Sequence, residues 1–184
     1  MNYTVKSIAQ EFNTHNITWA VGGDYMLKRY DIVNNSNIID IMVSEDSIIE
    51  ALNIMNTIAT KTKEENNEHF QTEVYASYKM GDTKVNIICN LKCDFTKPFE
   101  YDFDQEDINV SVDNNISQIN YSYLLDWYII YAAIDRTDIV EKIENYYQQG
   151  GFLDNARCKA KFDNIDYKNH TNHYNKLVQK LYHL

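Results

Sequence analysis

Two features near the start of the chain could do chemistry together, the glycine pair Gly22-Gly23 and the aspartate Asp40. Adjacent glycines let the backbone approach a ligand closely, and the N–H groups at the start of a following helix would face an anion. Asp40 interrupts the apolar run Ile38–Val43, where a carboxylate is costly unless it is paired or binds a cation. The structural alternative is that Asp40 caps a loop or pairs with Lys28 or Arg29.

The elements that would position these residues can be predicted from the sequence. Segment 17–21 is β-branched and aromatic without charge, which predicts a buried strand that ends at the glycines. Asp24 is then expected to be the N-cap of a helix over 25–33. The apolar run 38–43 predicts the next strand, with Asp40 inside it.

Further along the chain, periodicity and turn residues predict one continuous core. Apolar residues at helical spacing follow residue 44, and Gly81-Asp82 marks the turn of a hairpin. The predicted elements are a helix over 44–60, strands over 69–78 and 83–91, and helices over 122–134 and 137–148, which stop at Gly150-Gly151.

The order of a glycine pair, a helix, an acid-bearing strand and another helix resembles the nucleotidyltransferase superfamily. The likeness is closest to its small bacterial branch, which includes antibiotic nucleotidyltransferases and abortive-infection toxins. That family has Gly-Gly or Gly-Ser after a strand, then Asp-x-Asp on the next strand and a third acid on a later one. Gly22-Gly23 matches the glycine pair and Asp40 the second acid of Asp-x-Asp, while 123–131 and 136–138 resemble the family's helical tail.

The resemblance implies an α/β fold, with a nucleotidyltransferase-like mixed sheet flanked by helices and a C-terminal helical part. Residues 1–115 would form the core and 116–184 the helical part packed on it. The implied activity moves a nucleoside monophosphate from a nucleoside triphosphate to an acceptor that the sequence does not name. Gly22 and Gly23 would cradle the phosphates, Asp40 would be catalytic and hold Mg²⁺, and Lys28 and Arg29 would offset phosphate charge.

This sequence departs from the family pattern at two of its three acids. The first acid of the pair falls on Ile38, and the third falls on Asn86, on a strand expected beside Asp40. Isoleucine cannot bind a metal, and asparagine offers only a neutral oxygen. Nearby acids could substitute, and the sequence offers Asp31, Glu45 and Asp46. Two function classes follow: a nucleotidyltransferase, or a catalytically inactive protein of that fold that serves as a binding or interaction module. A third possibility is that the glycine pair is only a structural turn in an unrelated α/β protein.

Composition limits the partners. A formal net charge of −10 argues against extended nucleic acid and against an anionic membrane surface. The sequence shows no signal peptide and no run near the ~18 apolar residues of a membrane span, so a cytoplasmic protein is expected. The three cysteines lack zinc-finger spacing, which favours reduced thiols.

One local basic cluster comprises Arg157, Lys159 and Lys161. On a helix Arg157 and Lys161 would share a face and could bind an anion. We expect this cluster to be a solvated helix face.

Overall fold

The computed structural model describes residues 3–63, 72–93, 99–101, 103, 105–109, 118–152, 154, 156 and 157. Its elements run in the order α1 (Tyr3–Thr14), β1 (Trp19–Gly22), α2 (Gly23–Leu27), β2 (Ile38–Val43), α3 (Ile48–Ile58), β3 (Thr60–Lys61), β4 (Val74–Met80), β5 (Thr83–Cys89), β6 (Leu91–Cys93), β7 (Phe99–Tyr101), β8 (Ile108–Asn109), β9 (Tyr121–Ser122), α4 (Leu124–Ala133) and α5 (Thr137–Gln148). Lys159 and Lys161 of the basic cluster lie outside the described residues.

A mixed sheet of seven strands, in the order β3-β4-β5-β2-β1-β9-β8, organises the fold. The pairs β2–β5 and β1–β9 are parallel, and the other neighbours are antiparallel. Strands β6 and β7 form a separate two-stranded sheet. The predicted α/β fold, a mixed sheet flanked by helices, is thereby confirmed.

One face of the sheet packs on α1 and α3. Alternate side chains of a strand point to opposite faces, so Trp19, Ile39 and Ile41 share the face that these helices cover, and all three are fully buried. The Phe12 ring of α1 meets Trp19 edge-on, with the ring centroids 5.7 Å apart. Each such apolar side chain contributes about 1.5–3 kcal/mol when it is buried, which fixes the sheet on its helical support.

Helix α4 packs against the other face of the sheet at Gly22 and Ser122, and α5 packs on α4. Apart from Asp126, the side chains of α4 are apolar or aromatic, as expected for a helix packed on both sides. The Tyr128 hydroxyl donates to Glu144 Oε1 across the two helices at 2.9 Å. Helix α5 spans the predicted residues, and α4 begins two residues later and ends one residue earlier than predicted. Within the part of the chain that the structure describes, no helix is both long enough and apolar enough to cross a membrane.

The segment around the glycine pair differs from its prediction. Strand β1 begins at Trp19 and includes Gly22, and α2 has only five residues before a 3₁₀ turn over Lys28–Tyr30. Asp31 then adopts the left-handed conformation, with φ 57°, and ends the helix. The N-cap is the extended Gly22 rather than Asp24, whose carboxylate has a tertiary partner instead. The predicted helix over 25–33 with an Asp24 cap is therefore wrong.

The region beyond residue 115 also supplies part of the sheet. Strand β9 lies between β1 and β8, and Val21 pairs with Tyr121 in parallel register. The Val21 N–H donates to Asn120 O at 2.8 Å. The segment assigned from sequence to a helical C-terminal part thus begins with a strand beside the glycine turn.

Arg157 lies in a buried ion-pair cluster rather than on a solvated helix face, so that prediction is wrong for this residue. Its Nη2 donates to Asp126 Oδ2 at 3.0 Å and also to Asp107 Oδ1, and its Nη1 donates to Glu106 O at 3.2 Å. The guanidinium carbon lies 3.7 Å from the centroid of the Tyr123 ring. Burial alone would lower the pKa of Arg157, but Asp126 and Asp107 outweigh it and raise the pKa. The cation therefore stays charged and ties the segment after α5 to α4 and the sheet edge.

Candidate functional site

A row of small and polar residues crosses the face of the sheet beneath α4. Gly22 is opposite Asp40, Asp40 is opposite Asn86, and Asn86 is opposite Ser77. Ser122 extends the row beyond Gly22, because its neighbour Tyr121 pairs with Val21. We call Ser122, Gly22, Asp40, Asn86 and Ser77 the polar row. Ser77, Asn86 and Ser122 are buried, so their polar atoms need partners within the fold.

The polar row contains a chain of side-chain hydrogen bonds. Asn86 Nδ2 donates to Asp40 Oδ1 at 2.7 Å, and Ser77 Oγ donates to Asn86 Oδ1 at 2.9 Å. An ionised carboxylate only accepts hydrogen bonds, so the amide of Asn86 must present its nitrogen to Asp40. The predicted adjacency of Asn86 and Asp40 is confirmed. The amide oxygen, which is the atom that could bind a metal, is engaged with Ser77 instead.

Asp40 is an acid whose proton affinity the fold has changed. The pKa of Asp40 is raised from 3.8 to about 6, and burial is the largest cause. The negative charge of Asp24 also raises this pKa, whereas the hydrogen bond from Asn86 and the positive charge of Lys84 lower it. The two charged neighbours that act on the carboxyl group are therefore one anion and one cation. Asp40 is ionised at neutral pH, at a cost that a bound cation would offset.

The free protein should lose stability as Asp40 ionises. A carboxyl whose pKa is higher in the folded than in the unfolded state favours folding while it is protonated, and that contribution disappears as the pH rises from about 4 to about 6. We expect a decrease in the free energy of unfolding of up to about 3 kcal/mol across this window. Urea unfolding of wild type and Asp40→Asn measures it, because the variant lacks this titration; parallel pH profiles would contradict the assignment.

The two glycines are required by close packing. A Cβ added at Gly22 would lie 2.2 Å from the Trp127 ring, and one added at Gly23 would lie 2.1 Å from Asp40 Oδ2. Gly23 also has φ +60°, which L side chains rarely adopt. The backbone of the turn therefore packs directly against the carboxylate of Asp40.

The indole against Gly22 is fixed by its own hydrogen bond. Trp127 Nε1 donates to Ser122 Oγ at 2.7 Å, and Ser122 Oγ donates to Val21 O at 3.1 Å. The Trp127 ring is also packed against Tyr131 at a centroid distance of 5.5 Å. Helix α4 thus forms one wall of the glycine turn.

Sequence reasoning assigned no site role to Asp24, an acid whose charge acts on Asp40. Tyr131 donates its hydroxyl proton to Asp24 Oδ1 at 2.6 Å, and burial together with Asp24 raises the pKa of Tyr131, so the hydroxyl remains a donor. The charge of Asp24 also raises the pKa of Asp40. Its position directly after the glycine pair was the available signal, but an acid there is equally typical of a helix cap.

The predicted phosphate-neutralising cations are engaged with aromatic rings. Lys28 Nζ lies 5.4 Å from the Tyr25 ring centroid, and the Arg29 guanidinium carbon lies 4.8 Å from that of Tyr121. Because Tyr121 pairs with Val21, its side chain lies on the face opposite to Asp40. Lys84 is the cation whose charge acts on Asp40.

The acids considered as replacements lie elsewhere. Ile38, at the position of the family's first acid, is 43% exposed. Asp31 is exposed in the turn after α2, while Glu45 and Asp46 are exposed beyond the far end of β2. In the described ranges no group of three His, Cys, Asp or Glu side chains could hold a metal ion.

The residues around Asp40 fit a magnesium ion that is shared with a ligand's phosphates, but not a site made of three protein acids. Mg²⁺ is usually held by one or two carboxylates together with substrate phosphates and water. Asp40 and Asp24 provide two carboxylates, whereas Asn86 directs its amide protons toward Asp40.

Two solved structures share this architecture. A candidate nucleotidyltransferase from Thermotoga maritima matches with a TM-score of 0.59 and 16% identity over 79% of this chain and 91% of its own. The solution structure of the antibiotic-resistance factor ANT(2″)-Ia matches with a TM-score of 0.53 and 13% identity over 98% and 97% of the two chains. No protein-family model matches the chain, and neither does any curated protein sequence.

The sheet order, the glycine turn beside an acid-bearing strand and these two likenesses define the class of fold. The chain has a nucleotidyltransferase-like fold. At 13–16% identity the likeness extends to the fold alone.

Proposed function

We propose that this protein binds a nucleoside triphosphate with Mg²⁺ beside Gly22, Gly23 and Asp40, and that it no longer transfers the nucleoside monophosphate. The observation that carries this proposal is the hydrogen bond from Asn86 Nδ2 to Asp40 Oδ1. It puts an amide donor where the family pattern has its third acid, while the glycine turn and Asp40 remain in contact.

The parts of the binding site have distinct roles. Asp40, with Asp24 beside it, would hold Mg²⁺, which neutralises phosphate charge when it is bound. Gly22 and Gly23 remain sequence-based proposals for cradling the phosphates. The Trp127 ring and the Asp40 carboxylate occupy the space beside their backbones and would have to move to admit a phosphate. Lys84 would add positive charge from β5. Lys28 and Arg29 remain sequence-based proposals for the same role and would have to leave their aromatic partners.

Loss of transfer follows from the chemistry of the acceptor. An attacking hydroxyl needs a base to take its proton, and the third acid of the family serves that step. Asn86 cannot accept a proton, and its oxygen already accepts the hydrogen bond from Ser77. The site can therefore bind and orient a nucleotide without activating an acceptor.

Asp24 favours a second candidate function, transfer to a small molecule, protein or RNA end. It is near enough to Asp40 to affect the pKa of that residue, so the two acids could replace the Asp-x-Asp pair. Transfer would require Tyr131 to release Asp24 or to share it with the metal. Incorporation of a labelled nucleoside monophosphate into any acceptor would establish this function and overturn the inactive one.

The first test is calorimetric titration with each nucleoside triphosphate, with and without Mg²⁺. We expect binding that is at least tenfold tighter with Mg²⁺, and no such Mg²⁺ dependence in Asp40→Asn. Ser77→Ala is the matched control, since Ser77 belongs to the polar row without reaching Asp40 directly. A Mg²⁺ dependence that survives Asp40→Asn would place the metal elsewhere. If no nucleotide binds, the proposal fails and a module that binds a protein partner becomes the alternative.

A further inference from the structure

A small cavity lies at the turn of the β4–β5 hairpin, outside the polar row. Its volume is about 210 Å³, and the described residues that line it include three lysines and one acid, Asp82. The lysines come from two separate parts of the chain, Lys63 from the segment after β3 and Lys79 and Lys84 from the hairpin. Two threonines, Thr62 and Thr83, add hydroxyl groups to its wall.

We propose that this cavity binds a phosphate group of a small phosphorylated molecule. The chain has only 17 Lys and Arg against 27 Asp and Glu, which gives a net charge of −10. Three of the 17 meet in one depression, whose described lining carries more positive than negative side chains, opposite in sign to the whole protein. Such a depression attracts an anion and discriminates against cationic and neutral ligands.

The strand register sets the spacing of the cationic groups. Lys79 and Lys84 are directly opposite each other on β4 and β5, so their side chains leave the same face with Cβ atoms about 5 Å apart. Lys63 approaches from the neighbouring segment, which is anchored where the Thr62 N–H donates to Ser77 O at 2.8 Å. A phosphate has several acceptor oxygens and can take hydrogen bonds from ammonium groups on different sides at once.

The size of the cavity limits the ligand to something small. Sites for drug-sized ligands have volumes of roughly 300–1,000 Å³, so 210 Å³ holds a phosphate or diphosphate group and leaves the rest of the ligand outside. The cavity does not depend on Asp40. Lys84 lies two residues from Asn86, about 7 Å along the strand, and Asn86 is beside Asp40 of the nucleotide site proposed above. The phosphorylated ligand would then lie beside the nucleotide.

The test is calorimetric titration with pyrophosphate, without Mg²⁺ and at constant ionic strength. The variant is Lys63→Gln with Lys79→Gln, two exposed lysines of the cavity that have no proposed role in nucleotide binding. The control is Lys6→Gln with Lys142→Gln, which removes the same two charges from exposed positions on α1 and α5. Because hydrogen bonds to charged groups are stronger than those between neutral groups, we expect at least a tenfold loss of affinity in the cavity variant and wild-type affinity in the control.

Other results of these titrations would overturn or support the inference. No pyrophosphate binding by wild type, or equal losses in both double variants, overturns the inference. Loss of pyrophosphate binding in Asp40→Asn also overturns it, because the anion would then have occupied the nucleotide site. If the cavity variant loses pyrophosphate but still binds nucleotide with Mg²⁺, the phosphate belongs to a second molecule. If it loses both in parallel, the cavity binds phosphates of the nucleotide itself.

Discussion

Replacing Arg157 by methionine is expected to lower the free energy of unfolding by roughly 3–5 kcal/mol, because it removes a buried cation from its two carboxylates. The Arg157 side chain is 13% exposed, and those of Asp107 and Asp126 are 2% and 1% exposed. Methionine keeps much of the aliphatic packing on Tyr123 while it removes the charge. Urea unfolding at neutral pH measures the loss.

Arg136 provides the matched control, since it is also an arginine paired with an aspartate. Its partner Asp138 is 60% exposed and Arg136 itself is 42% exposed, with Nε 3.0 Å from Oδ1. Exposed ion pairs contribute at most about 1 kcal/mol, so Arg136→Met should have a small effect. Equal losses in the two variants would mean that Arg157 does not anchor the segment after α5.

Replacing Gly23 by alanine is expected to abolish Mg²⁺-dependent nucleotide binding and to destabilise the fold. A left-handed residue with a Cβ costs about 1–2 kcal/mol, and here the Cβ would also lie 2.1 Å from Asp40 Oδ2. Asp40 would have to move, and its hydrogen bond from Asn86 would be lost. Calorimetry reports the loss of binding, and urea unfolding reports the loss of stability.

Gly81→Ala separates these two causes. Gly81 has φ +59°, nearly the same as Gly23, and an added Cβ would meet nothing within 4 Å. It therefore has the backbone strain without the contact with Asp40, and we expect a loss of about 1–2 kcal/mol with nucleotide binding intact. Wild-type binding in Gly23→Ala would show that the glycine turn is not part of a nucleotide site.

Local signals in the sequence predicted the elements that carry most of the site. The apolar run 38–43 predicted β2 with Asp40 inside it, and Gly81-Asp82 predicted the β4–β5 hairpin that carries Asn86. These elements depend on side-chain alternation and turn residues that are close together in the sequence. The pairing of β4 with β5 was predictable because a short turn joins them, whereas the place of Asn86 beside Asp40 was implied by the family resemblance.

The other features of the fold and of the site depend on contacts between segments that are far apart in the sequence. Local sequence patterns carry no information about such contacts. Strand β9 has only two residues and owes its place to β1, about a hundred residues earlier. Asp24 left its expected capping role because Tyr131 of α4 supplies a hydrogen-bond donor. Arg157 is buried because Asp107 and Asp126 converge on it. Helix α1 went unpredicted, although its buried face follows the helical period.

The place of β1 between β2 and β9 has a consequence for the order of folding. The chain can pair β2 with β1 after about twenty intervening residues, but β9 must close a loop of about a hundred. Closure of long loops costs more entropy and slows folding. We therefore expect the wall that Trp127 forms against Gly22 to assemble late. A chain emerging from the ribosome would acquire a formed glycine turn only after α4 has been synthesised, which delays ligand binding until most of the core exists.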